Sequence, residues 1–388
     1  METSTEKSRR MKIQAIETIV SWAGLRNWLL VKITTDTGIY GWGEGTLEGK
    51  ENTVAACIQE VGAILKGADP LEIERHWQVM VRHGFWRGGA VLNSAVAALD
   101  QALWDIRGKA WSVPVYKMLG GPARDRVRVY THVGNYDPDR IVDDAQRDID
   151  DGYTAMKTGS WADLAPLSES ERLAVYTERI ARLRESVGPA IDIMVDDHGR
   201  GRSASAARLV HALQPYGLLF LEEVTQPDDI EALAILRDIS PRMNLATGER
   251  LYSKWDYRPL LERRLVDVIQ PDLCHAGGIT ECKKIAAMAE AYYVQVAPHN
   301  PQGPVSTAAA AHLAMAIPNF LILEYDRQDE YRKNALMTSW PVESGYLHVP
   351  DLPGLGIEFD ENVLQANPQR PVGGPRTAFA TDGSVMDV

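Results

Sequence analysis

The sequence predicts an α/β protein: a (β/α)8-type barrel, modified from the TIM arrangement, with an N-terminal α+β capping domain. Three observations carry that prediction. Six short apolar runs in the second half each end in a residue able to bind metal or move a proton: Asp192–Asp197, Leu218–Glu223, Asn244–Glu249, Val266–Asp272, Tyr293–His299 and Phe320–Glu324. The end residues Asp196, Glu222, Glu249, Asp272, His299 and Glu324 are separated by 26, 27, 23, 27 and 25 residues. That period is one strand, one helix and two loops, the unit of a barrel of roughly 250 residues with its chemistry at the C-terminal strand ends.

The elements follow in order. Lys12–Val20 and Trp28–Thr34 are rich in β-branched residues, TDTG is a turn signal, and IYGWGEG reads as a third strand. Residues 51–66 and 92–110 have helical periodicity. This makes 11–125 an α+β capping domain, closed by the Gly/Pro break LGGPARD at Leu119–Asp125. Val127–Val133 and Tyr153–Lys157 supply two further barrel strands, making eight across 126–345. Helices are expected over Pro138–Asp151, Ser168–Val187, Ala204–Leu213, Asp228–Ile239, Lys254–Glu262, Thr280–Tyr292 and Val305–Ala316.

The 388 residues are 45% hydrophobic and 24% charged, enough for a sizeable core. A net charge of −12 argues against nucleic acid and anionic membrane as partners. It leaves room for an anionic small substrate, because a bound divalent cation reverses the local sign. Three scattered cysteines, Cys57, Cys274 and Cys282, read as reduced thiols of a cytoplasmic protein. No run of about 18 apolar residues suggests a membrane span. METSTEKSRR is polar and reads as a disordered tail over 1–10, not a signal peptide.

Asp196, Glu222 and Glu249 stand on three successive strand ends, about 4.8 Å apart from strand to strand. Carboxylates so placed repel unless a cation sits among them or each has its own arginine. Hard oxygen donors from separate strands suit Mg2+. Asp272 and His299 end the next two strands, where a carboxylate would fix the imidazole tautomer and make His299 a general base. His198 lies two residues past Asp196, on the same side if the strand continues. It reads as a general acid, a ligand or a loop histidine. Lys157 and Glu324, at two other strand ends, could hold substrate oxygens. Asp197 and Glu223 alternate outward, toward structural pairs, with Arg250 a natural partner. His132 ends the first barrel strand, and His275 receives no role from its position.

The segments GWGEGTLEG, WQVMVRHGFWRGG, ALDQALWDIRGKA, VDDHGR, LFLEEV, ATGER, IQPDLCHAGGITECKKIAAMAEAY and APHNPQGP resemble the mandelate racemase-like branch of the enolase superfamily. Within it the chain is most similar to galactonate dehydratase and related sugar-acid dehydratases. The resemblance implies that Asp196, Glu222 and Glu249 bind Mg2+. It makes Asp272–His299 the dyad that removes the proton α to a carboxylate, and His198 the acid that protonates the departing 3-hydroxyl. The product would be a 2-keto-3-deoxy acid. Residues 346–388 would return to the capping domain, and the protein would be a dimer or octamer. Capping loops at Ser21–Asn27 and Thr46–Asn52 would close over substrate, with Trp22, Arg26, Trp86 and His132 as contacts. Racemases of this branch carry Lys-x-Lys on the second strand; here it is Lys157-Thr158-Gly159, without the second base. A cycloisomerase or epimerase sharing the enediolate, or a non-catalytic metal-binding relative, are the other readings.

Overall fold

The computed structural model describes residues 11–82, 84–134, 137–159, 161, 164, 167–325, 330–338, 340–371, 378–379 and 382–386. The expected tail over 1–10 lies outside them. The N-terminal unit is an antiparallel meander of β1 (Ile13–Trp22), β2 (Asn27–Thr35) and β3 (Tyr40–Glu44). Helices α1 (Glu51–Gly62), α2 (Ile73–Arg82) and α3 (Ala90–Trp111) pack on it. The GWGEG segment is explained by contact distance. A Cβ at Gly41 or Gly43 would sit 2.2 Å from Ala102 O or 1.9 Å from Ala98 O, so glycine there lets α3 lie directly on β3. Helix α2 is an addition to the sequence reading. It is only ten residues long, with Ile73, Trp77, Met80 and Val81 forming its buried stripe.

After the short helix α4 (Val115–Met118), eight parallel strands follow. They are β4 (Val127–His132), β5 (Ala155–Gly159), β6 (Asp192–Asp196), β7 (Phe220–Glu222), β8 (Leu245–Thr247), β9 (Val268–Ile269), β10 (Gln295–Val296) and β11 (Leu323–Glu324). Helices alternate with them: α5 (Ile141–Asp150), α6 (Glu169–Val187), α7 (Ser203–Leu213), α8 (Ile230–Ile239), α9 (Lys254–Glu262), α10 (Gly278–Ala291) and α11 (Pro304–Ala316). Neighbours pair in chain order from β4 to β10, and β11 pairs in parallel with β4. The ring closes just before β11. Val296 N–H donates to Asn319 O at 2.9 Å, and Leu321 N–H donates to Val296 O at 2.8 Å. The barrel interior is plugged by Tyr130, Ala155, Met194, Phe220, Ala246, Val268, Ala297 and Ile322, one from each strand or its flank.

The N-terminal unit grips the barrel through carboxylates at helix N-termini. Glu44 accepts from Gly303 N at 2.7 Å and Ser306 N at 3.0 Å, capping α11. Asp100 accepts from Thr280 N at 3.0 Å, in the first turn of α10. Both place negative charge at the positive end of a helix dipole. The C-terminal stretch packs back on the meander, Ser21 Oγ donating to Leu364 O and Asn27 Nδ2 to Arg370 O.

Candidate active site

Residues two places beyond the apolar plug point into the same space one level higher. They are His132, Lys157, Asp196, Glu222, Gly248, Gln270, His299 and Glu324. Two residues of strand advance about 6.6 Å and restore the same facing. Eight short strands therefore convert an apolar layer into a polar one. Glu249 and Asp272 join it from the loops just past β8 and β9.

Asp196, Glu222 and Glu249 each offer an oxygen, and the three lie within 4.8 Å of one another. Lys157, itself buried, reaches Glu222 Oε2 at 3.1 Å, Glu324 Oε1 at 3.2 Å and Asp196 Oδ2 at 3.6 Å. Burial works against its charge, but Glu222, Glu324, Tyr130 and Asp196 together hold its pKa well above the usual lysine value. Burial, then Asp196, pushes Glu222 up to about 7, and burial raises Glu249 despite His299. Glu222 Oε1 is buried with no hydrogen-bond partner among the described residues. Three converging hard oxygens, two of them reluctant to ionise, and one without a partner fit a small divalent cation.

His299 Nδ1 is 2.7 Å from Asp272 Oδ2, and its Nε2 is 3.1 Å from Glu249 Oε2. Burial opposes the imidazolium, but Glu249, Glu324 and Asp272 raise the His299 pKa well above its ordinary value. Asp272 is held the other way. Burial would raise it, yet His275, His299 and the Cys274 N–H at 2.6 Å keep it below the usual range. At the other end of the triad, His198 Nε2 lies 3.0 Å from Asp196 Oδ2. Burial disfavours its charge, but Asp196 outweighs that and carries it up to about 9. Glu324 accepts from Asn300 N at 2.7 Å and contacts His132 Nε2 at 2.7 Å.

His198 reaches this place by a different route from the strand argument. Strand β6 stops at Asp196, and His198 has φ +55°, in the left-handed region. Its N–H donates to Asp196 Oδ1 at 3.2 Å. A tight turn over its own neighbour, and not strand alternation, swings the ring back onto the triad. Glu223 turns outward and is clamped by Arg250, Nε to Oε1 at 3.0 Å and Nη2 to Oε2 at 2.6 Å. Of the four expected substrate contacts, His132 is the one whose contacts, among the described residues, reach the cluster. Trp22 lies against Arg370 at 5.3 Å, Arg26 pairs with Glu48, and Trp86 is 84% exposed beside Phe85.

Position 159 rules on the second base. Gly159 has φ +120°, and a Cβ there would meet Asp196 O at 2.2 Å and Tyr176 Oη at 2.8 Å. No side chain fits, so a second lysine cannot enter the pocket from position 159.

Residues 140–363 match the model described as "Enolase C-terminal domain-like", and residues 3–120 match "Mandelate racemase / muconate lactonizing enzyme, N-terminal domain". The chain belongs to the enolase superfamily. Among enolase-superfamily relatives it is 40% identical to the D-galactonate dehydratase of Variovorax paradoxus, over 93% of this chain and 96% of that one. It is 38% identical to the D-galactonate dehydratase of Ralstonia pickettii over the same shares. An enolase from Pantoea ananatis, solved with bound D-gluconate and Mg, superposes with a TM-score of 0.91 at 30% identity, covering 97% of this chain and all of that one.

Proposed function

We propose that this protein is a Mg2+-dependent dehydratase of an aldonic acid, D-galactonate or a close stereochemical relative, yielding the 2-keto-3-deoxy acid. The observation that carries the reading is the single carboxylate triad touched at one end by the Asp272–His299 dyad and at the other by His198.

Asp196, Glu222 and Glu249 would hold the metal. Bound Mg2+ supplies Lewis-acid charge that offsets the second negative charge developing on the substrate carboxylate. His299 removes the C2 proton through Nε2, leaving the C2–H electron pair in an enediolate. Asp272 keeps the opposite nitrogen protonated and stabilises the imidazolium that forms. His198, held 3.0 Å from Asp196 Oδ2, gives a proton to the 3-hydroxyl as the C3–O bond breaks and water leaves. The resulting enol tautomerises to the ketone. Lys157 and Glu324 hold substrate oxygens, and His132 steadies Glu324. Burial strengthens each of these charge interactions relative to water.

The three free cysteines support a cytoplasmic setting. Among the described residues no helix is long and apolar enough to cross a membrane. Exposed Phe85 and Trp86 support a homo-oligomer, which light scattering after size exclusion would measure.

The test is incubation of galactonate, gluconate and arabinonate with Mg2+, trapping 2-keto acid with semicarbazide, beside His299→Asn. Product from one acid, absent in the variant, supports the reading. No keto acid from any of them sinks it.

A further inference from the structure

One buried histidine beside the dyad has no task in the mechanism. His275 lies three residues past Asp272, on the loop that leads into α10, and its Nε2 is 3.6 Å from Asp272 Oδ2. That is electrostatic contact, slightly long for a hydrogen bond. Its Nδ1 is 2.9 Å from Ser94 Oγ, and its Nε2 is 3.1 Å from the Gln302 side-chain amide. Ser94, His275, Gln302 and Asp272 are all buried. Ser94 belongs to α3 of the N-terminal unit, so the ring stands across the boundary between cap and barrel.

The same loop is held from the same side at further points. Gln101 Nε2 donates to Leu273 O at 2.8 Å, Trp77 Nε1 to Gly277 O at 2.8 Å, and Trp104 Nε1 to Thr280 Oγ1 at 2.8 Å. With Asp100 on Thr280, helices α2 and α3 fix the backbone from 273 to 280. Those bonds hold main chain or, from Trp104, the Thr280 hydroxyl. Among the described residues of the N-terminal unit, the Ser94–His275 link is the one that ends against the carboxylate orienting the base.

We propose that Ser94 and His275 are positioning residues for the Asp272–His299 dyad. The capping domain thereby sets the aim of the base as well as covering the substrate. This deepens the proposed function and rests on His299 being its base. Asp272 Oδ1 is fixed by the Cys274 N–H. Its Oδ2 is pinned on one side by His299 and flanked on the other by His275. Without that flank the carboxylate can rotate and the imidazole follows it, and small misplacements of a reacting group are costly.

The experiment uses full-length protein with Mg2+ and three variants: Ser94→Ala, His275→Leu and His275→Gln, the last keeping a polar side chain beside Asp272. The decisive readout is the ring-nitrogen shifts of His299 in 15N-histidine-labelled protein, assigned with His299→Asn. They report the Nδ1–Asp272 hydrogen bond whether or not the substrate is known. Shifts should move in Ser94→Ala and His275→Leu, with His275→Gln recovering most of the change. On the acid that is turned over, kcat should fall about tenfold with KM changing less than about twofold. His299 shifts unmoved in both Ser94→Ala and His275→Leu would overturn the proposal, whatever the activity. If Leu unfolds the protein, Ser94→Ala and His275→Gln decide it. Moved shifts in a protein that dehydrates nothing would support positioning and sink the dehydratase reading alone.

Discussion

Two layers of one barrel, two residues apart on every strand, do opposite jobs. The lower layer is Tyr130, Ala155, Met194, Phe220, Ala246, Val268, Ala297 and Ile322, closely packed and mostly apolar. The upper is His132, Lys157, Asp196, Glu222, Gly248, Gln270, His299 and Glu324. Both are inward-facing and mostly shielded from water. The lower layer stabilises the fold by removing apolar surface from water. The upper buries like charges side by side, which costs stability unless a cation joins them. Fold and chemistry are thus separable along the barrel axis, and substitutions should sort by layer.

The sharpest break is in the upper layer. His299→Asn should lower kcat by about a thousandfold or more, the scale of a lost general base, while the thermal melt stays near that of the parent. A large loss of melting temperature would mean His299 is structural. One step down, Phe220→Ala should cost about 3–5 kcal/mol of stability, read by denaturant titration, yet retain most activity at low temperature. Activity lost without destabilisation would erase the distinction between the layers.

Histidines outside the layers provide a pH test. His312 is buried in α11, accepting from Tyr116 N at 3.1 Å and facing Leu355 O at 3.1 Å with its other nitrogen. Among the described residues no carboxylate supports its charge, and burial pushes it down to about 4. The unfolded chain takes up that proton near the ordinary pKa of about 6.5, and the folded chain does so only near 4. Its contribution is therefore present above about pH 6.5 and lost as pH falls toward 4, by about 3 kcal/mol. Melts of the parent and His312→Gln across that window should converge as pH falls. The smallest change in stability is expected from metal removal. Chelation should abolish activity and lower stability by about 2.7 kcal/mol relative to Mg2+ at a hundred times its Kd, reversibly on readdition. Stability that rises on chelation would exclude the triad as the site.

The strand–helix period was readable because each barrel strand must end in a pocket residue and each helix must span the same distance back. The triad, the dyad and the outward turn of Glu223 were readable for the same reason. What escaped lies in contacts between distant parts of the chain. Ser94 meets His275 181 residues away, and Glu44 caps a helix 259 residues downstream. No local pattern encodes such a meeting. His198 shows the remaining gap: the right neighbour was reached through the wrong geometry, since nothing in VDDHG announces that the strand stops at Asp196. Helix α2 was legible in its spacing but short enough to pass as loop.

The bare Cα at position 159 carries a consequence for the handedness of what this protein consumes. If His299 is the base, C2 epimers are not interchangeable: one aims its hydrogen at His299 and the other away from it, toward the side where position 159 has room for no side chain. The site then acts as a chiral filter. A feedstock epimerised at C2 should be left enriched in the untouched epimer, a change in rotation that a polarimeter would read directly.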